Sequence, residues 1–355
     1  KPIVMITHSD IGTMIAISRV VFFILLLRTA SSLEVPDDPL SQVPALVPLR
    51  ETVFSTLTLT LPRVKAVASK LAHLPARSFM EDNAIRDCIE LFRSTGVAVN
   101  TVITQLNDSS YQVEDAQTQL SAAMTNLDTC LEGLAMSKVA ARDQVAKPVT
   151  EIYKRISKML AVVKKLAPTK SEYIEKRGLF PAWLSKEDES FLVKGSGGFM
   201  VVNSVVAQDG SGNFTTISDA LAAAPNNSTT RFVIYIKAGI YSENVEVSPG
   251  KTMIMFLGDG IDATVVRGNR SVAGGWTTFQ SATVAVMGYG FVAKSITFVN
   301  DAGAAKSQAV ALRSSADASV FYWCSFQGYQ DTLYVHSFRQ FYRDCDMYGT
   351  VDFIF

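Results

Sequence analysis

The chain has 355 residues, with 33 basic and 33 acidic side chains that cancel to a formal net charge of zero. That length allows two domains, each with a core of its own. A balanced charge supplies no basic footprint for nucleic acid, so no nucleic-acid partner is expected.

Near the start, Val20-Val21-Phe22-Phe23-Ile24-Leu25-Leu26-Leu27 is an apolar run preceded by Arg19 and followed by Arg28-Thr29-Ala30-Ser31-Ser32. Its length suits the apolar region of a secretory signal peptide, and Arg19 interrupts the longer stretch that a membrane span would need. Residues 1–32 read as a signal peptide, with a signal anchor as the alternative. The proline-rich stretch that follows reads as a linker over residues 33–49.

From about residue 50 the pattern changes. Leu57, Leu61, Val64 and Val67 recur at helical spacing, as do Ile85, Cys88, Ile89, Leu91 and Phe92. Val99, Val102, Ile103 and Leu106 continue the series, followed by Leu120, Ala123, Met124, Leu127 and Leu131. Asn107-Asp108-Ser109-Ser110 breaks the run between helices. The spacing predicts an α-helical bundle over residues 50–167. Core packing alone accounts for every apolar position in it, so the bundle by itself names no function. The dibasic pair Lys176-Arg177 and the flexible Gly195-Ser196-Gly197-Gly198 mark residues 168–198 as a linker.

The last part repeats loosely, which gives an α+β multidomain chain. Val284-Ala285-Val286, Val310-Ala311-Leu312 and Leu333-Tyr334-Val335 are short apolar strands at offsets of 26 and 23. Ile296-Thr297-Phe298, Cys324-Ser325-Phe326 and Cys345-Asp346-Met347 recur at 28 and 21. Strand-sized units with a period in the twenties predict a solenoid of parallel strands, because helical crossovers need longer gaps. Residues one period apart then stack about 4.8 Å apart on adjacent rungs.

Asp331 and Asp352 lie 21 residues apart, in Gly328-Tyr329-Gln330-Asp331-Thr332-Leu333-Tyr334 and Gly349-Thr350-Val351-Asp352-Phe353-Ile354-Phe355. The period places them face to face, with Gln308 one further rung away from Asp331. Two carboxylates this close resist double ionisation and titrate as a pair, giving one group that attacks and one that donates a proton. Gln308 and Gln330 add neutral amide donors for an oxyanion. The bland alternative is a solvated ladder of Asp and Gln on a solenoid surface. Cys324 and Cys345 share the same spacing, so they form either a disulfide between rungs or a buried thiol ladder. His8, His73 and His336 are widely spaced and read as structural or solvated. Asn107, Asn213, Asn226, Asn227 and Asn269 begin N-x-Ser/Thr sequons, which adds slight weight to secretion.

Several further motifs accompany the two aspartates in a fixed order. They are Asp209-Gly210-Ser211-Gly212-Asn213-Phe214, Tyr235-Ile236-Lys237-Ala238-Gly239, Gly258-Asp259-Gly260, Thr277-Thr278-Phe279 and Gln308-Ala309-Val310-Ala311-Leu312-Arg313. From about residue 200 onward the chain resembles the plant pectin methylesterase family, which implies a right-handed parallel β-helix over residues 199–355. The resemblance makes Asp352 the nucleophile on a methyl ester, Asp331 the proton donor and then the base, and Gln308 and Gln330 the oxyanion hole. It makes Thr278 and Gln308 substrate contacts, with Tyr334 and Phe355 flanking the sugar ring. The substrate it implies is methylesterified pectin (homogalacturonan) of the cell wall, handled by a secreted enzyme with no metal and no cofactor.

Arg86-Asp87-Cys88-Ile89-Glu90 and the stretch from Thr118 to Cys130 resemble the pectin methylesterase inhibitor domain that forms the pro-region of such enzymes. That resemblance implies a Cys88–Cys130 disulfide, an intramolecular contact between inhibitor-like and enzyme domains, and a processing protease acting near Lys176-Arg177. The family's downstream Arg and Trp have no counterpart before Phe355, so the expected β-helix lacks its C-terminal rungs. The alternative reading is a catalytically inactive chain that acts as an inhibitor-like or pectin-binding protein. Another β-helix pectinase, cutting glycosidic bonds with two carboxylates, is a third.

Overall fold

The computed structural model describes residues 4–6, 43–106, 112–139, 142–166, 180–194 and 201–355. The apolar run and its flanks, the break at 107–110, Lys176-Arg177 and the Gly-Ser joint lie outside the described residues. Among the described residues, no helix is long and apolar enough to cross a membrane. The chain divides into two compact units.

The helical unit holds α1 (Val43–Leu71), α2 (Phe79–Gln105), α3 (Val113–Met136) and α4 (Arg142–Lys164). The expected linker to residue 49 therefore ends sooner, because α1 already begins at Val43. Ser78 caps α2 by accepting the Glu81 N–H at 3.1 Å, which satisfies one of the donors that a helix start leaves open. Val145, Val149, Ile152, Ile156, Met159 and Val163 alternate three and four residues apart on the buried stripe of α4. Helix α2 packs on α3 and α3 on α4, while α1 touches both α2 and α4. A Cys88–Cys130 disulfide ties α2 to α3. It closes a span of 42 residues, so its reduction is expected to cost the bundle about 4 kcal/mol by loss of chain restriction. Denaturant titrations with and without reductant measure that difference.

The second unit is a parallel β-helix. A first sheet contains β4 (Gly239–Ser242), β7 (Thr264–Gly268), β10 (Thr297–Asn300), β13 (Ser325–Gln327) and β16 (Asp346–Gly349). A second contains β5 (Val245–Val247), β8 (Val284–Val286), β11 (Leu312–Ser314) and β14 (Leu333–Tyr334). The third contains β2 (Ser204–Val206), β3 (Phe232–Ile236), β6 (Ile254–Gly258), β9 (Val292–Lys294), β12 (Ser319–Tyr322) and β15 (Gln340–Arg343). One more strand, β1 (Val4–Ile6), pairs antiparallel with β16. The strands of β2–β16 are two to five residues long, and each coil visits all three sheets before pairing in parallel with the coil before it.

Side chains aimed into the coil stack by type along the axis. Phe298 lies on Phe326 with centroids 5.6 Å apart, and Phe321 lies on Tyr342 at 4.8 Å. Helix α6 (Ile217–Ala223) buries Ile217, Ala220 and Leu221 in the same core.

The expected register holds for one strand series and shifts for the other. Thr297 pairs with Ser325 and Ser325 with Asp346, the predicted offsets of 28 and 21. In the second sheet, however, Val284 pairs with Leu312 and Leu312 with Leu333, at 28 and 21 in place of 26 and 23. Leu312, two residues beyond Val310, is thus the residue in register on both sides, and a one-residue bulge precedes it. Ala311 and Leu312 N–H groups both donate to Thr332 O, at 2.8 and 3.3 Å, so two residues oppose one.

Cys324 and Cys345 meet on adjacent rungs as free, fully buried thiols, the ladder reading of the pair. Burial, then the hydrogen bond to Cys324, pushes the Cys345 thiol well above its ordinary range. A thiolate is the reactive form, so Cys345 is expected to resist alkylation at neutral pH until the β-helix unfolds. Mass-resolved labelling at rising denaturant reads this directly.

Part of the stretch read as linker is a docked element. Phe180, Leu184 and, on α5 (Lys186–Lys194), Phe191 and Leu192 cover Val233, Met255, Val292, Val320 and Tyr322 on the outer face of the third sheet. Asp188 and Arg231 form an ion pair at 2.7 Å beneath this strap. Lys294, which burial makes less basic, donates to Leu192 O at 2.8 Å near the end of α5.

Candidate active site

The aspartate corner forms where the first sheet turns into the second. Gly328 and Gly349 open the two motifs, and both pack against the buried Thr332. A Cβ on Gly328 would sit 2.8 Å from Thr332 Oγ1, and one on Gly349 would sit 2.7 Å from the same atom. Only glycine lets the two turns close this tightly. The backbone then turns left-handed at Asp331 (φ 63°) and Asp352 (φ 47°), a conformation that aspartate tolerates better than most residues. Leu333 bridges Ile354, and the Asp331 N–H donates to Val351 O at 3.1 Å. The two aspartates therefore hold equivalent positions on adjacent rungs, as their spacing predicts. They differ in setting, since Asp331 is 7% exposed whereas Asp352 is open to solvent.

Gln308 is placed differently from the expectation. It bridges Gln330 in parallel and does not stack on Asp331. The offset is 22 at Gln308, one short of the 23 that would reach Asp331, and the bulge that follows takes it to 21 at Leu312. The Ala309 N–H donates to Gln330 O at 3.1 Å, and Gln308 O accepts the Val272 N–H at 2.9 Å. The two glutamines thus form one rung-to-rung pair in the aspartate corner.

Thr278 precedes the short 3-10 turn Phe279–Ser281. Ser281 Oγ donates to Thr278 O at 2.8 Å and accepts the Val310 N–H at 3.1 Å. Those two bonds bring Thr278 beside the segment that carries Gln308.

Tyr334 and Phe355, expected to flank a sugar ring, stack on each other with centroids 4.2 Å apart and planes 17° apart. The two rings are in direct contact, which leaves no room for another ring between them.

A further cluster adjoins it that the sequence reading passed over. Arg313 pairs in register with Tyr334, and its guanidinium carbon lies 3.4 Å from the Phe279 ring centre. Phe279 and Tyr334 both meet His336 edge-on, at 5.4 and 5.2 Å. His336 is 6% exposed and bonds Ser315 and Ser337, which makes it structural. The available signal was the in-register offset of 21 between Arg313 and Tyr334, a cation beside an aromatic.

Fold and corner together define the class, a parallel β-helix with two aspartates and two glutamines gathered where one sheet turns into the next. Residues 203–355 match the Pectinesterase family model, and residues 32–163 match that of the plant invertase/pectin methylesterase inhibitor. Probable pectinesterase/pectinesterase inhibitor 39 of Arabidopsis thaliana is 43% identical, over 94% of this chain and 66% of its own length. Pectinesterase 2 of Citrus sinensis is 47% identical, over 84% of this chain and 57% of its own. Among solved structures, pectin methylesterase from carrot is 57% identical over 44% of this chain and 49% of that one, with a TM-score of 0.43. The chain spans under two thirds of the length of the curated relatives named here. It belongs to the pectinesterase family, in the form that joins an inhibitor-family region to the pectinesterase domain.

Proposed function

We propose that this chain demethylesterifies homogalacturonan in the cell wall, releasing methanol and leaving carboxylates on the polymer. The observation that carries this reading is the register of Asp331 and Asp352 on adjacent rungs beside the Gln308–Gln330 pair. The exposed Asp352 carboxylate attacks the ester carbonyl carbon, and the negative charge that develops on its oxygen is held by the Gln308 and Gln330 amides. Collapse breaks the bond to methoxide, which leaves as methanol with the proton of the sheltered Asp331 carboxylic acid. Asp331, now a carboxylate, takes a proton from water as that water attacks the acyl group on Asp352. This frees the sugar carboxylic acid, which gives its proton to solvent, and returns both aspartates to their starting forms.

Thr278 and Gln308 contact the sugar, and the Tyr334–Phe355 ladder meets it from outside. The inhibitor-like region is an intramolecular partner of the enzyme domain, and a processing protease acts near Lys176-Arg177 after secretion. Methanol release from highly methylesterified pectin by the full chain tests the reading. Pectin binding without methanol would favour a non-catalytic role, and shortening of polygalacturonate would favour glycosidic cleavage.

A further inference from the structure

A cavity of about 500 Å³ lies beside the strap, away from the aspartate corner, where chain segments enter the third sheet. Its walls include two exposed aromatic side chains, Trp183 at 37% and Tyr289 at 50%, together with Asn227, Ser228, Thr229 and Thr252. A pyranose ring has C–H groups on its faces and hydroxyls at its rim. Aromatic faces with hydroxyls and amides alongside suit such a ring.

One lining residue is itself an acceptor for sugar. Asn227-Ser228-Thr229 is a sequon on an exposed turn, with Asn227 at φ 52° and its N–H bonded to Gly250 O at 2.7 Å. The backbone of the turn is thus held while the Asn227 side chain is open to solvent. The other described sequons are less free in the folded chain. Asn213 Oδ1 accepts the Val205 N–H at 2.8 Å, holding its side chain against β2. The Asn269 sequon ends in Ser271, which is 3% exposed and caps the Val272–Gly274 turn. The overlapping Asn226 sequon relies on Ser228, whose hydroxyl donates to Thr230 O at 2.7 Å.

We propose that Asn227 carries an N-linked glycan whose first sugar rests in the cavity walled by Trp183 and Tyr289. The donor is a lipid-pyrophosphate-linked oligosaccharide. Asn227 Nδ2 loses one proton and bonds the sugar C1, while the C1–O bond breaks and the lipid pyrophosphate leaves. This inference rests on passage through the secretory route, which the proposed cell-wall role also requires.

The test therefore supplies that route. The full chain is led into the secretory pathway of a eukaryotic host by an unrelated signal sequence, and the protein is collected from the medium. Enzymatic deglycosylation in heavy-oxygen water then marks each formerly glycosylated Asn for peptide mass spectrometry. The expected mark is at Asn227, retained in Ser228→Ala, which removes only the Asn226 sequon, and lost in Thr229→Ala. An unmarked Asn227, or marks confined to Asn226, Asn213 or Asn269, would overturn the assignment. Trp183→Ala should speed deglycosylation of the folded protein several-fold by unseating the first sugar, and an unchanged rate would remove the cavity from the proposal. Methanol release from the same preparations is scored separately, so failure of the esterase reading is distinguishable.

Discussion

Asp352→Asn is expected to lower methanol release by about 10⁴-fold or more while leaving the fold intact. The substitution keeps size and shape, and asparagine is among the few residues that accept the left-handed backbone at φ 47°. What it removes is the carboxylate, and a neutral amide does not attack an ester carbonyl at a useful rate. Asp331→Asn should also suppress turnover, by about 10²- to 10⁴-fold, because it takes away the proposed proton donor and later base. The two losses should not add, since the proposed mechanism places both residues in one reaction sequence. An ester with a nitrophenyl leaving group needs no proton, so Asp331→Asn should recover much of its first-step rate on it, whereas Asp352→Asn should not. Unchanged circular dichroism and thermal midpoint establish that the fold is kept. Robust methanol release by folded Asp352→Asn would sink the nucleophile assignment, and release by both variants would sink the site.

Asp188→Ala is expected to destabilise the β-helix unit by about 3–5 kcal/mol, lowering its melting temperature by about 10 °C. Arg231 meets Asp188 with two parallel bonds, Nε to Oδ1 at 3.0 Å and Nη2 to Oδ2 at 2.7 Å. The side chains are 10% and 4% exposed, so deleting the carboxylate leaves a guanidinium charge shielded from water. Arg231 also donates to Ile254 O at 3.3 Å and to Gly290 O, contacts that keep it in place after its partner is gone. The double change Asp188→Leu with Arg231→Met removes both charges and should restore stability to within about 1 kcal/mol of the starting protein. Thermal melts of the three variants separate the cost of a stranded charge from the cost of a looser strap. An unchanged melting temperature in Asp188→Ala would mean that apolar packing of Phe180, Leu184, Phe191 and Leu192 holds the strap without the pair.

The sequence by itself determined much of this protein. Apolar residues at helical spacing marked the bundle, because burying one stripe of a helix imposes that spacing whatever the neighbours are. The offsets of 28 and 21 through Thr297, Ser325 and Asp346 marked the rungs, since parallel strands stacked in a coil repeat their in-facing side chains at each turn. The 21-residue offset likewise put Asp331 and Asp352 on adjacent rungs, and the ordered motifs carried the family. Tertiary structure alone decided the rest. Gln308 faces Gln330 and one extra residue then bulges before β11, and an insertion of that kind leaves no mark in composition or periodicity. Tyr334 and Phe355 close on each other, and Arg313 lies over Phe279, because side chains from different coils meet only once the coils are stacked. The strap read as linker for the same reason. Its apolar residues have a partner only in the outer face of the third sheet, and that face exists only after strands from distant parts of the chain have paired.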